Sequence, residues 1–163
     1  MPTTTRTAMP TRTISKTIGQ VTELTVIAPL KYRAADSLRN ILNGLQTSPD
    51  SPIKQISTIH FARWVIFDND QRLLFTSNFD GSWEGYLRDF SMKAPDGMDR
   101  IFGHCDGYPE RGCRDFEAFK EYVRKHQVPT DLFYAAYPES SVRAVSEGLR
   151  VKALTDDFLR KLG

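Results

Sequence analysis

Cysteine is scarce in this chain. Cys105 and Cys113 are the only two in 163 residues, too few for a disulfide scaffold. They stand at C-x7-C spacing with His104 beside the first, whereas a zinc site uses two close pairs. No apolar run approaches the roughly 20 residues of a membrane-crossing helix. Charge of one sign is also lacking: the net value is +2, which exerts no strong pull toward nucleic acid or a membrane surface. There is no phosphate-cradling glycine loop, no nucleophile elbow and no H-E-x-x-H. Nor is there a basic, aromatic-laced stretch of the kind that binds single-stranded nucleic acid. These absences lead us to expect a reduced, cytoplasmic protein with no nucleic-acid or membrane partner and no metal site.

What is present reads as one domain. Residues 1–18 are Thr-rich and basic, with no acid before Glu23, and hold no apolar stretch of secretory length. They read as a disordered tail. Residues 19–163 carry the domain, and 40% apolar with 11% aromatic content over the whole chain allows a sizeable core.

Gln20 to Leu30 reads as a strand that Pro29 ends. Leu38, Ile41, Leu42 and Leu45 recur at helical spacing, and the Pro49 to Pro52 stretch is a loop. Thr58 to Phe67 alternates and is rich in β-branched and aromatic residues, as a strand is. Asp68-Asn69-Asp70 is a turn signal, and Leu73 to Thr76 is the return strand. Ser82 suits a helix cap, with Trp83, Tyr86, Leu87 and Phe90 along the helix that follows. A short helix around Met98 and Phe102, a glycine-rich loop and a helix over Asp115–Gln127 come next. Asp131 to Tyr137 reads as the last strand. Two further helices are expected, one after Ser140 or Ser141 carrying Val142, Val145 and Leu149, and a short one from near Thr155.

An even-numbered turn pairs Phe67 with Arg72, Val65 with Leu74, Arg63 with Thr76 and Phe61 with Asn78. Alternation then puts Phe61, Arg63, Val65, Leu74, Thr76, Asn78 and Asp80 on one face. His60, Ala62, Trp64, Ile66, Leu73, Phe75 and Phe79 fall on the other. The second face is nearly all apolar and is expected to lie under helices, with His60 as a core histidine. The first is mixed, with its polar groups gathered at one end.

The element order fits an α+β, ferredoxin-like plan: a four-stranded antiparallel sheet with helices on one face, here with extra helices. Such a sheet leaves its other face to be solvated or covered. That face carries Phe61, Val65 and Leu74, so a homodimer is expected to cover it. In element order the chain resembles the dimeric α/β-barrel superfamily, which includes small monooxygenases, chlorite dismutases and dye-decolorising peroxidases. That resemblance implies a small ligand or haem held between sheet and helices. Ser77-Asn78-Phe79-Asp80-Gly81 also resembles the Gly-x-x-Asp-Gly motif of dye-decolorising peroxidases, whose Asp works beside an Arg on the distal side of haem. Here Ser77 stands where that motif has Gly, and the chain is far shorter than those enzymes.

The residues themselves allow two readings. A buried charge needs a partner, so Arg63 either binds an anionic group of a ligand or pairs structurally with Asp80. Asp80 could instead cap the helix that follows it. The functional expectation makes Asp80 and Arg63 catalytic. Arg63, Thr76, Asn78, Phe61 and Tyr86 would bind a small apolar or amphipathic ligand, and His104 would be an axial haem ligand or a general base. Trp83, Tyr86 and Tyr134 could line an aromatic pocket or be plain core. His126 ends a helix, where a cation suits the dipole. The expected function is a small-molecule-binding, oxidoreductase-like protein, for which the resemblance implies haem and peroxidase-like chemistry. The alternatives are a non-catalytic ligand or haem carrier, and an interaction protein that uses its sheet face to dimerise.

Overall fold

A computed structural model describes residues 15–162. The disordered tail expected at the N-terminus therefore falls largely outside the described residues. Its last two positions, however, are a short strand, β1 (Thr17–Ile18), which turns at Gly19 into β2 (Val21–Pro29). Helix α1 (Ala35–Thr47) follows, then β3 (Ile59–Phe67) and β4 (Arg72–Asp80). Helices α2 (Trp83–Lys93), α3 (Pro95–Phe102), α4 (Phe116–His126) and α5 (Val142–Leu162) complete the order.

The four strands form one open antiparallel sheet in the order β1-β2-β4-β3. This is an α+β architecture, compatible with a ferredoxin-like plan. The hairpin register is the expected one: Phe67 faces Arg72, Val65 faces Leu74, Arg63 faces Thr76 and Phe61 faces Asn78. Its tight loop runs through three left-handed residues, Asp68, Asn69 and Asp70. Asn and Asp are the side chains that adopt this conformation most readily. Arg39 of α1 grips both carboxylate oxygens of Asp70, one at 3.0 Å, and so ties the hairpin tip to the helix layer. That guanidinium holds the Asp70 carboxyl below the usual carboxylate range.

One sheet face is apolar and covered. Leu24, Val26 and Ala28 of β2 join Leu73, Phe75 and Phe79 of β4 in a core with Leu38, Leu87, Phe90, Ile101 and Phe119 from α1 to α4. Both cysteines are free and fully buried there. The opposite face carries no helix along most of its length.

Two expectations need correction. Asp131 to Tyr137 is not a strand. The sheet edge it would have joined is already taken: β1 pairs with the start of β2, Gln127 bridges Val26, and the Val128 amide donates to the Thr25 carbonyl at 2.9 Å. The segment instead crosses the open face at one end. The two separate C-terminal helices are one continuous 21-residue helix, α5. Among the described residues no helix is long and apolar enough to cross a membrane.

Candidate functional site

Antiparallel pairing arranges the open face in rows across β2, β4 and β3. Ile27, Leu74 and Val65 form an apolar row. Thr25, Thr76 and Arg63 form the next, and Glu23, Asn78 and Phe61 the one after. The last is Val21 and Asp80. Opposite them β3 bulges, with His60 as the extra residue between Ile59 and Phe61. A bulge re-aims a side chain, and here it turns His60 out of the apolar alternation. His60 is not the core histidine expected. Its Nε2 lies 2.6 Å from Asp80 Oδ1.

Over the last two rows runs the segment between α4 and α5, and sequence-distant bonds hold it down. The Thr130 hydroxyl donates to Glu23 Oε2 at 2.7 Å, and the Glu23 carboxylate, 4% exposed, also accepts the Lys16 amide. The Gln20 amide donates to the Pro138 carbonyl at 2.8 Å. The Val142 amide, at the start of α5, donates to Asp80 Oδ2 at 2.8 Å, and Ser141 caps that helix through the Ala144 amide. Asp80 therefore does cap a helix, but it is α5, 62 residues on, not the one that follows it. The helix that follows is capped by Ser82, as expected.

Between this segment and the sheet lies a hollow of about 430 Å³. Phe61, Tyr134, Tyr137, Val21 and Val145 wall it, and His60, Asn78 and Ser140 supply its polar groups. It falls in the size range of small-ligand sites, which pair an apolar wall with a few polar groups. The Asp80 carboxylate uses one oxygen on His60 and the other on α5. Such a partner fixes the orientation of an imidazole and the nitrogen that carries its proton. No bond to His60 Nδ1 is found among the described residues. The arrangement can therefore accept or move a proton at Nδ1.

The expected site residues divide three ways. Phe61 and Asn78 line the hollow, and Asp80 stands behind it. Arg63 shares their face, but it lies beside an adjoining groove of about 480 Å³ along the free edge of β3. It is exposed and donates to Thr76 Oγ1 at 3.2 Å. It does not meet Asp80, since four residues of β4 separate their rows, roughly 13 Å. Tyr86 and His104 lie elsewhere. Tyr86 is buried on the helix side, stacked on Phe79 with its hydroxyl 2.6 Å from Ser77 Oγ, and burial pushes its phenol well up. His104 sits by the opposite end of β2, near Leu30, with Nδ1 on the Arg100 carbonyl at 2.9 Å and Nε2 on Ser37 at 3.1 Å. Trp83 hydrogen-bonds Gln127, and His126 binds back to the Tyr122 carbonyl at the end of α4. Tyr134 lines the hollow. Among the described residues no cluster of three His, Cys, Asp or Glu could hold a metal ion.

Compared with protein families, curated proteins and solved structures, the chain matches none.

Proposed function

We propose that this protein binds a small, neutral, amphipathic molecule in the hollow between the open sheet face and residues 133–145, with His60 receiving the ligand's polar end. The observation that carries the reading is the His60–Asp80 pair set in an aromatic-walled cavity. A few half-buried polar groups in an otherwise apolar site fix ligand orientation. An imidazole oriented by a carboxylate is suited to hydrogen-bonding a ligand or passing it a proton. Asn78 and Ser140 supply further hydrogen bonds, and Asp80 acts through His60 rather than on the ligand.

The narrower reading, a haem-dependent and peroxidase-like oxidoreductase, has less support, because the residues do not fit a haem. No Lys or Arg lines the hollow to meet the propionates. Both His104 ring nitrogens are engaged at the far end of the sheet, and His60 Nε2 is committed to Asp80. A binding protein without turnover uses the same cavity and differs only in whether His60 moves a proton. We also infer that the molecule works as a homodimer, because much of the open face carries exposed apolar side chains such as Phe61 and Val65.

The test is titration with the neutral dye N-phenyl-1-naphthylamine, followed by fluorescence. Saturable binding is expected, weakened at least tenfold by Ala135→Trp, which fills the hollow. His60→Gln should weaken binding of ligands carrying a hydroxyl more than binding of the dye. Unchanged dye affinity in Ala135→Trp would remove the hollow as the site.

A further inference from the structure

Fifteen large apolar side chains are exposed among the described residues, and thirteen of them lie on α5, on the segment before it or on the open face of β3. Seven belong to α5 itself, from Val145 at 44% exposed to Leu162 at 69%. From Arg143 to Leu162 every residue is exposed save Asp157. Rooted at Asp80, the helix extends away with its outer half resting on nothing in its own chain.

Its apolar residues form two stripes. Val142, Val145 and Leu149 recur at spacings of three and four, and Val145 lines the protein's own hollow. Val151, Leu154, Phe158 and Leu162 recur at three, four and four. At about 100° per residue the second stripe points to roughly the opposite side of the helix. The first stripe thus meets the protomer at its root, through Val145, whereas Leu149 and the whole second stripe stand in the open.

The polar side chains of α5 bind one another. Arg143 pairs with Glu147, Lys152 with Asp156, and Arg160 and Lys161 with Asp157. A helix that lies on an anionic membrane presents unpaired cations, and here four of the five cations of α5 pair along the helix, Arg150 apart. An uncharged apolar protein surface suits the second stripe better. This chain carries such a surface: the row Ile27, Leu74 and Val65 lies beyond the reach of the crossing segment.

We infer that α5 is an exchanged arm: its outer stripe lies across the Ile27–Leu74–Val65 row of a second copy of this chain, while that copy's α5 lies across this one. The inference rests on the homodimer reading and names its seam. A two-fold axis makes both contacts at once, because each protomer offers one helix stripe and one sheet face. The seam's own exposed side chains, Val151, Leu154, Phe158, Leu162 and Val65, present on the order of 500 Å² per protomer, at roughly 60–150 Å² each, and half-buried Ile27 and Leu74 with the flanking polar residues add the rest of the contact. A standard interface takes about 800 Å² from each partner. The seam is helix on sheet, and it leaves the hollow at the Asp80 end free.

The test is the oligomeric state by light scattering and analytical ultracentrifugation, for the wild type and for Phe158→Asp and Val65→Glu. Both substitutions replace exposed side chains, and circular dichroism checks that each variant folds. A wild-type dimer whose dissociation constant rises at least tenfold in each variant is the expected result. A monomeric wild type overturns this inference and the homodimer reading together. A dimer unaffected by Phe158→Asp overturns the arm alone and leaves the homodimer. A monomer that binds anionic phosphatidylserine vesicles, and loses them in Phe158→Asp, assigns the stripe to a membrane and also overturns the arm.

Discussion

Removing the Asp80 carboxylate should weaken two distant parts of the molecule at once. Its two oxygens serve His60 Nε2 at 2.6 Å and the Val142 amide at 2.8 Å. The His60 and Asp80 side chains are only 15% and 17% exposed, so water replaces neither bond well. Hydrogen bonds to a charged group are worth about 1.5–3 kcal/mol each. Asp80→Ala loses both and strands two donors, for a cost of about 3 kcal/mol or more. Asp80→Asn keeps one acceptor oxygen but turns an amide donor toward the other partner, and should cost about half as much. Urea unfolding at pH 7 measures the totals. A double-mutant cycle of Asp80→Asn with His60→Gln isolates the pair, with an expected coupling of about 1–2 kcal/mol. Hydrogen exchange at Val142 and Ala144 reports the α5 root separately, because Ser141 still caps Ala144. Val142 should lose protection in Asp80→Ala and keep it in His60→Gln. A coupling below about 0.5 kcal/mol, the noise of additivity, together with unchanged exchange at Val142, would refute the claim that Asp80 positions both groups.

Two other predictions concern the core and the rim of the hollow. Burial pushes the Cys105 and Cys113 thiols up to about 12, whereas an unfolded thiol ionises near about 8.5. Above that pH the unfolded chain releases protons that the folded chain keeps. Stability is intact below about pH 8.5 and falls by up to about 1.4 kcal/mol per pH unit per thiol as pH rises toward 12. Urea midpoints between pH 8 and roughly 10, before the buried tyrosines contribute, should decline in the wild type and stay flatter in Cys105→Ala/Cys113→Ala. Gly19 turns β1 into β2 at φ +58, and a Cβ there would collide with the backbone carbonyl of Pro138. Gly19→Ala should cost about 1–3 kcal/mol and loosen the segment over the hollow, read as faster exchange at Gln20 and weaker dye binding.

How much of this was legible in the sequence depends on whether the deciding contacts are local. The hairpin was, because turn parity and alternation are properties of neighbouring residues. Four residues, Asp68 to Gln71, separate the strands, so the register and both faces followed. The bulge at His60 was not. Nothing in Thr58-Ile59-His60-Phe61 marks an extra residue, and the bulge became visible only once β4 supplied Asp80 as a partner. A histidine stranded on an otherwise apolar face was the one available clue. Asp131 to Tyr137 has strand-like composition, but pairing is a competition for an edge. Thr17 and Ile18, within the stretch that looked like tail, took one part of that edge, and Gln127 and Val128 took another. The last helix looked like two because its apolar stripe changes sides between Leu149 and Val151. No proline or paired glycine interrupts the backbone there, so the helix continues through the change.

That change of side is the point on which the functional reading and the assembly reading join. A helix with one stripe on its own domain folds back and is buried. A helix with a stripe on each side must satisfy two surfaces, and a single domain offers α5 only one. Asp80 sets where the helix starts, and the Val145 side meets the hollow that His60 also lines. The same root that orients the imidazole therefore directs the outer stripe away from the protomer's own sheet. The Ile27–Leu74–Val65 row is left uncovered for the same reason, since the one element long enough to cover it has been aimed elsewhere. On the exchanged-arm proposal, the apolar helix face and the apolar sheet face of one chain, each unable to reach the other, meet between copies.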